Sequence, residues 1–166
     1  ADAVRISKEK AKQFTTELNL YQRTYDTQVN HHAKNEPEIG VLTGIVFDSP
    51  TRSQLKNESM TLIYHMHGGD FNLFYENFLK EASEKGKAVE IAYNVNGAGD
   101  IGMINMSSQA ISSFADILAR YPDVPIYLRF AGEVNEWDVK PGAEDYKRAF
   151  RTVANIMRSK CPNVAM

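Results

Sequence analysis

The segment Pro-Ile-Tyr-Leu-Arg-Phe-Ala-Gly-Glu-Val-Asn-Glu-Trp at positions 125–137 holds the residue types most capable of chemistry in this chain. Its first half is a short apolar run of the kind that buried strands show. Arg129 stands near the end of that run, and Glu133, Asn135, Glu136 and Trp137 follow within a few residues. A carboxyl group beside a cation, an amide and an aromatic plane can supply a proton donor, a hydroxyl binder and a stacking surface, the set that cleavage of a sugar linkage requires. A glutamate just beyond a strand can act as a general acid where its surroundings raise its pKa; the same residue can equally face solvent or pair with a lysine. An unpaired charge at the end of an apolar strand is costly, so a structural ion pair, with Glu90 for example, is as natural a role for Arg129 as binding. Trp137, the only tryptophan, can stack on a sugar ring or simply cover the rim of the fold.

Other candidates lie at two earlier strand ends. His65 and His67 close the run Thr61–Met66, and a spacing of two on a strand puts both on one face. Such a pair can bind a metal, but no third ligand is spaced with it, so no metal is expected and hydrogen bonding to a substrate is the better functional reading. A partly buried pair satisfied by the backbone is the plain alternative. Tyr93, Asn94 and Asn96 end another apolar run and lead into Gly97-Ala98-Gly99-Asp100. That stretch lacks both phosphate-loop patterns, so no nucleotide cofactor is expected, and Gly97 and Gly99 most simply allow a turn. His31-His32 falls in a polar linker, and Met103–Met106 reads as loop packing.

These residues need elements to position them. Ile6, Phe14, Leu18, Tyr21, Tyr25 and Val29 recur at helical spacing, which predicts an amphipathic helix over about 6–30, ending in a linker before Pro37. Strands are expected at 40–47, 61–66, 88–93 and 126–130, with a fifth opening at Val164. Helices are expected at 71–85 with Gly86 as the stop, from Ser107 or Ser108 to about 121, and at about 143–160. From the third strand onward, strand and helix alternate, which implies a parallel sheet with helical crossovers. The fold class expected is therefore α/β, and the pattern fits either a parallel-stranded partial (β/α)8 barrel of about four β/α units preceded by the N-terminal amphipathic helix or an open doubly wound sheet. The chain divides accordingly into a helix and linker, 1–36, and the β/α region, 37–166.

Composition narrows the partners. With 43% hydrophobic and 24% charged residues in 166, the chain is in the range of an ordinary globular domain. A net charge of −2 gives no electrostatic case for nucleic acid or an anionic membrane. No stretch of about 18 apolar residues is present to span a bilayer. Cys161 is the only cysteine, which excludes an internal disulfide framework and a cysteine-rich zinc site.

Taken together in order, the segments from about Gly40 onward resemble the N-terminal half of glycoside hydrolase family 26, the β-mannanase family. Ile63-Tyr-His-Met leads to a Phe-containing helix ending in Lys-Gly, then to Ile91-Ala-Tyr-Asn-Val, then to the 125–135 motif and a helix containing Tyr146-x-x-Ala-Phe-Arg-x-Val. The resemblance implies a (β/α)8 barrel that hydrolyses β-glycosidic bonds of a mannan-like polysaccharide with retention, without a cofactor. It implies that Glu133 is the catalytic acid/base, and that Arg129 and Asn135 match the family's strand arginine and its asparagine. Tyr93 and Asn94 stand where the family has Trp-Glu; Trp137, His65 and His67 complete the expected substrate-binding set. Gly132 stands where the family has a histidine, and Glu136 where it has a glycine. The family's nucleophile lies at the end of strand seven, so the resemblance places it outside this chain, and the chain alone is expected to be inactive. A non-catalytic carbohydrate-binding or scaffold domain built on the same barrel is the alternative. An extracellular or cell-surface location is expected from a polymeric substrate, and self-association is expected through the exposed sheet edge.

Overall fold

The computed structural model describes residues 34–37, 42–46, 58–137 and 139–166. The helix expected over 6–30 and the His31-His32 pair lie outside the described residues. The residues from Pro37 onward form one compact unit. It is α/β, with strands β1 (Gly44–Val46), β2 (Met60–Met66), β3 (Ala88–Asn94), β4 (Ile126–Phe130) and β5 (Val164–Ala165). Among the described residues four helices follow β2, β3 and β4: α1 (Leu73–Lys85), α2 (Ala98–Met106), α3 (Gln109–Leu118) and α4 (Ala143–Lys160). All strand pairs are parallel and the strand order is sequential, β1-β2-β3-β4-β5. A doubly wound sheet reverses its strand order at a switch point; among the described strands there is no reversal.

Strand register sorts the side chains into two faces. Thr61, Val89 and Ile126 form one row, Ile63, Ile91 and Leu128 the next, and His65, Tyr93 and Phe130 the third. All nine are buried. The helices cover this face: His65 meets Phe71, Tyr75 of α1 and Phe114 of α3, while Phe130 meets Tyr146 and Phe150 of α4. The opposite face carries Tyr64, Ala92 and Arg129 in one row and Met66 and Asn94 in the next. Tyr64, Met66 and Arg129 are exposed there, and no described helix packs over them. One covered and one open face is the arrangement that a singly wound β/α repeat produces.

Local signals account for the helix limits. Asn72 caps α1 by accepting from the Phe74 amide at 3.0 Å, and Gly86 ends it in the left-handed region at φ 63°. Helix α4 carries Glu144 and Asp145 in its first turn and Arg158 and Lys160 in its last, complementing the helix dipole. Helix α2 takes up the stretch from Ala98 onward, where a turn was expected at Gly99 and loop packing at Met103–Met106. Its Ile101 and Ile104 are buried three residues apart on one side, whereas Met103 and Met106 face outward. Gly97 adopts φ 97°, as a turn requires; Gly99 lies within α2. At the far edge, the Asn163 amide donates to the carbonyls of Tyr121 and Val124 at 2.9 and 2.8 Å, tying β5 to the turn before β4.

Candidate functional site

Chemistry-bearing residues collect at the carboxyl ends of β2, β3 and β4, in two groups on opposite sides of the sheet. On the open face stand Arg129 and, at the end of β3, Asn94. Arg129 is exposed and makes no ion pair among the described residues, with Glu90 or any other carboxylate. Its position explains this: an open sheet face keeps the guanidinium hydrated, so nothing forces a counter-charge. The stem of Arg129 runs beside Gly132, where an added Cβ would stand 3.7 Å from Nε.

The turn after β4 has an unusual backbone. Ala131 and Glu133, on either side of Gly132, both sit at positive φ, 50° and 62°. Non-glycine residues reach that region at a cost, and they do so where surrounding contacts over-determine the turn. Those contacts are visible here. The Ala131 amide donates to the Tyr93 carbonyl at 2.9 Å, and the Tyr146 hydroxyl donates to the Ala131 carbonyl at 3.2 Å. Beyond the turn, the Glu136 amide closes on the Glu133 carbonyl at 2.8 Å in the short 3-10 turn Val134–Glu136. Glu133 is exposed, and its carboxylate has no hydrogen-bond or ion-pair partner among the described residues. The Asn135 amide donates to its neighbour Glu136 at 2.6 Å. Trp137 is half-buried against the core. The loop then returns to β3: the Ala98 amide donates to the Val139 carbonyl at 3.2 Å, and Gly97 lies so close beneath that carbonyl that a Cβ would meet it at 3.0 Å.

His65, His67 and Tyr93 occupy the helix side. His65 is 5% exposed and enclosed by aromatic rings, stacked on Phe114 at 5.0 Å and edge-on to Phe71, Tyr75 and Tyr93. Burial, with a smaller contribution from the charge of His67, pushes its pKa down from 6.5 to about 4. His67, just past β2, is half-buried; its amide donates to the Asn94 carbonyl at 2.8 Å and its Nδ1 lies 2.8 Å from the Tyr93 hydroxyl. Burial lowers the His67 pKa while Asp100 acts against that, and burial followed by Asp100 raises that of Tyr93. The strand parity that places His65 beside Tyr93 also points both away from Arg129. No side-chain hydrogen bond or ion pair links the two groups among the described residues.

Three contributors were not anticipated. Asp100, 8% exposed at the start of α2, accepts from the Asn96 amide at 2.6 Å and is the carboxylate nearest in effect to His67 and Tyr93. Its one signal, the Ile101–Ile104 spacing of α2, is masked by Gly99 and Gly102. Tyr146 braces the β4 turn although it also fits the apolar periodicity of α4. Between them, α2 and the start of α4 border a groove of about 350 Å3 whose polar lining is Asn105, Lys140, Asp145 and Arg148. No group of three metal-ligating side chains exists among the described residues, and no described helix is long and apolar enough to cross a membrane.

Comparison of the chain with protein-family models, with curated proteins and with solved structures finds no match.

Proposed function

We propose that this chain is the N-terminal part of a (β/α)8 glycoside hydrolase that cleaves β-glycosidic bonds in a mannan-like polysaccharide. The observation that carries the reading is the β4 terminus: Arg129 on the open face of a sequentially ordered parallel sheet, followed by the braced Ala131–Glu133 turn. In a closed barrel the open face becomes the interior, and the carboxyl ends of the strands carry the chemistry. Glu133 then serves as acid/base, protonating the leaving oxygen and later activating water. Arg129, Asn94 and Asn135 meet the sugar hydroxyls, and Trp137 offers a stacking plane. A retaining reaction requires a second carboxylate about 5–5.5 Å from the first; this reading assigns it to a later strand of a longer protein, which acts outside the cell because its substrate is a polymer.

The test is hydrolysis of mannan, glucomannan and mixed-linkage β-glucan by the full-length protein and its Glu133→Gln variant. Loss of an acid/base is expected to lower kcat by about 10²–10⁴-fold with the products retaining anomeric configuration. Polysaccharide binding without turnover, equal in both proteins, makes the chain a carbohydrate-binding scaffold instead. Hydrolysis undiminished in the variant removes Glu133 from the mechanism.

A further inference from the structure

The Tyr93–His67 pair contains more information than a ring contact. Tyr93 is 1% exposed, and its hydroxyl has one hydrogen-bond partner among the described residues, Nδ1 of His67 at 2.8 Å. A hydroxyl and an imidazole nitrogen can share a proton in either sense, so the surroundings must decide who donates. Around the ring of Tyr93 stand the rings of His65, Phe114 and Phe130. Asp100 is near enough to act electrostatically and accepts from the Asn96 amide, but no hydrogen bond joins its carboxylate to the Tyr93 hydroxyl. If His67 Nδ1 carried the proton, the hydroxyl hydrogen of Tyr93 would be left buried with no acceptor, a cost that native interiors avoid. The hydroxyl therefore donates to Nδ1. A neutral imidazole that accepts at Nδ1 carries its proton at Nε2.

The rest of His67 aims that proton outward. Its backbone is held to the end of β3 by the bond to the Asn94 carbonyl, and Gly68 at φ 74° turns the chain away immediately afterwards. Nε2 has no protein partner among the described residues and is not among the buried polar atoms left unsatisfied. It reaches solvent at the carboxyl end of β2, at the rim of the same strand ends that carry Asn94 and Arg129.

We propose that Tyr93 is a positioning residue whose buried hydroxyl holds His67 in the Nε2–H tautomer, so that His67 presents an uncharged hydrogen-bond donor to a neutral oxygen acceptor, a sugar hydroxyl, at the strand ends. The ligand named rests on the carbohydrate reading above; the tautomer does not. The low pKa of His67 works in the same direction, because an imidazole that stays neutral cannot offer two donors. The groups facing the pair are His65 from β2 and Asp100 from α2, and neither takes its hydrogen bonds.

The experiment is long-range proton–nitrogen correlation on the 15N-histidine-labelled chain at about pH 7.5, above the usual histidine pKa, followed by titration with mannohexaose. The expected spectrum shows His67 with an unprotonated Nδ1, a protonated Nε2, and a Tyr93 hydroxyl proton slow to exchange. In Tyr93→Phe, His67 moves towards the mixed tautomers of free imidazole. Binding is then expected to weaken by about threefold to tenfold, the worth of one hydrogen bond. A His67→Gln variant, which keeps an amide donor, is expected to bind better than His67→Ala. A protonated Nδ1 in the unsubstituted chain overturns the proposal. So does a Tyr93→Phe spectrum identical to it at His67. Mannohexaose binding that shifts Trp137 but leaves His67 Nε2 unmoved overturns the ligand assignment while the carbohydrate reading stands. No binding by the chain or by the full-length protein removes the carbohydrate reading and the ligand with it, and the nitrogen spectrum still decides the tautomer.

Discussion

Acid should weaken this fold through His65, and the size of the effect can be worked out. The ring is 5% exposed among four aromatic rings, and its pKa is pushed down from 6.5 to about 4. A histidine that is depressed in the folded state takes up its proton first in the unfolded chain. Its contribution to stability is thus fully present above about pH 6.5, declines as pH falls through the window down to about 4, and is flat below that. The full gap corresponds to about 3 kcal/mol at about 1.4 kcal/mol per pKa unit. By the same linkage, the loss is about 1 kcal/mol at pH about 5.5 and about 2–3 kcal/mol at pH about 4.5. His67, also depressed by burial, adds to it with the same sign. The assay is urea unfolding followed by the fluorescence of the single tryptophan, Trp137. With an m-value of about 1–3 kcal/mol/M, the midpoint should fall by about 1–2.5 M between pH 7.5 and about 4.5. Carboxylates titrate near the lower end of this range, so His65→Phe is the control: it keeps a ring stacked on Phe114 and cannot protonate. Its midpoint should fall by about 1 M less or better over the same interval. A chain whose stability is the same at both pH values, or a His65→Phe variant that keeps the whole slope, would refute the burial argument.

Three substitutions test the backbone and the far edge of the sheet. Glu133→Gly relieves a residue held at φ 62° and should raise the unfolding free energy by about 0.5–1 kcal/mol even as it deletes the proposed acid, an outcome read by the same urea titration. Gly86→Ala places a Cβ at the left-handed end of α1, where nothing within 4 Å obstructs it; the conformational penalty alone should cost about 1 kcal/mol, and no change would show that the helix end relaxes. Asn163→Ala removes both donors to the Tyr121 and Val124 carbonyls and should cost about 2–3 kcal/mol, with exchange protection lost first at Ile126 and Val164.

Much of the fold was legible because its signals are local. Apolar runs of five to seven residues, Gly86 after a Lys-rich helix end, and Pro162 after α4 mark their elements without help from the rest of the chain. Helix α2 was not legible, because two glycines and a polar lead-in hide a helix whose buried residues number only three. Ser108, one of the two serines expected to cap α3, is its N-cap position, although no side-chain bond closes there, and the helix ends at Leu118 rather than near 121. Phe74 and Phe150 continue the apolar spacing of their helices yet remain partly exposed, since they lie at the margin of the contact face rather than at its centre.

The candidate site shows where such reading stops. Along β2 to β4 the residue types at the carboxyl ends are all plausible ligands for a sugar, and their order in the chain says nothing about which side of the sheet each one takes. Register supplies that. Ala92 pairs with Arg129 and Tyr93 with Phe130, so a difference of one position separates the open face from the aromatic core. His65 and Tyr93 therefore belong to the layer that holds the helices, and only His67, lying just beyond the end of its strand, can carry a contact from that layer to the rim. The link between layers runs through backbone and hydroxyl: Tyr93 receives the Ala131 amide at its carbonyl and engages His67 with its side chain. A core tyrosine thus braces the turn that carries Glu133 and orients the histidine at the neighbouring strand end, which makes it the residue through which packing on the covered face would reach the proposed chemistry on the open one.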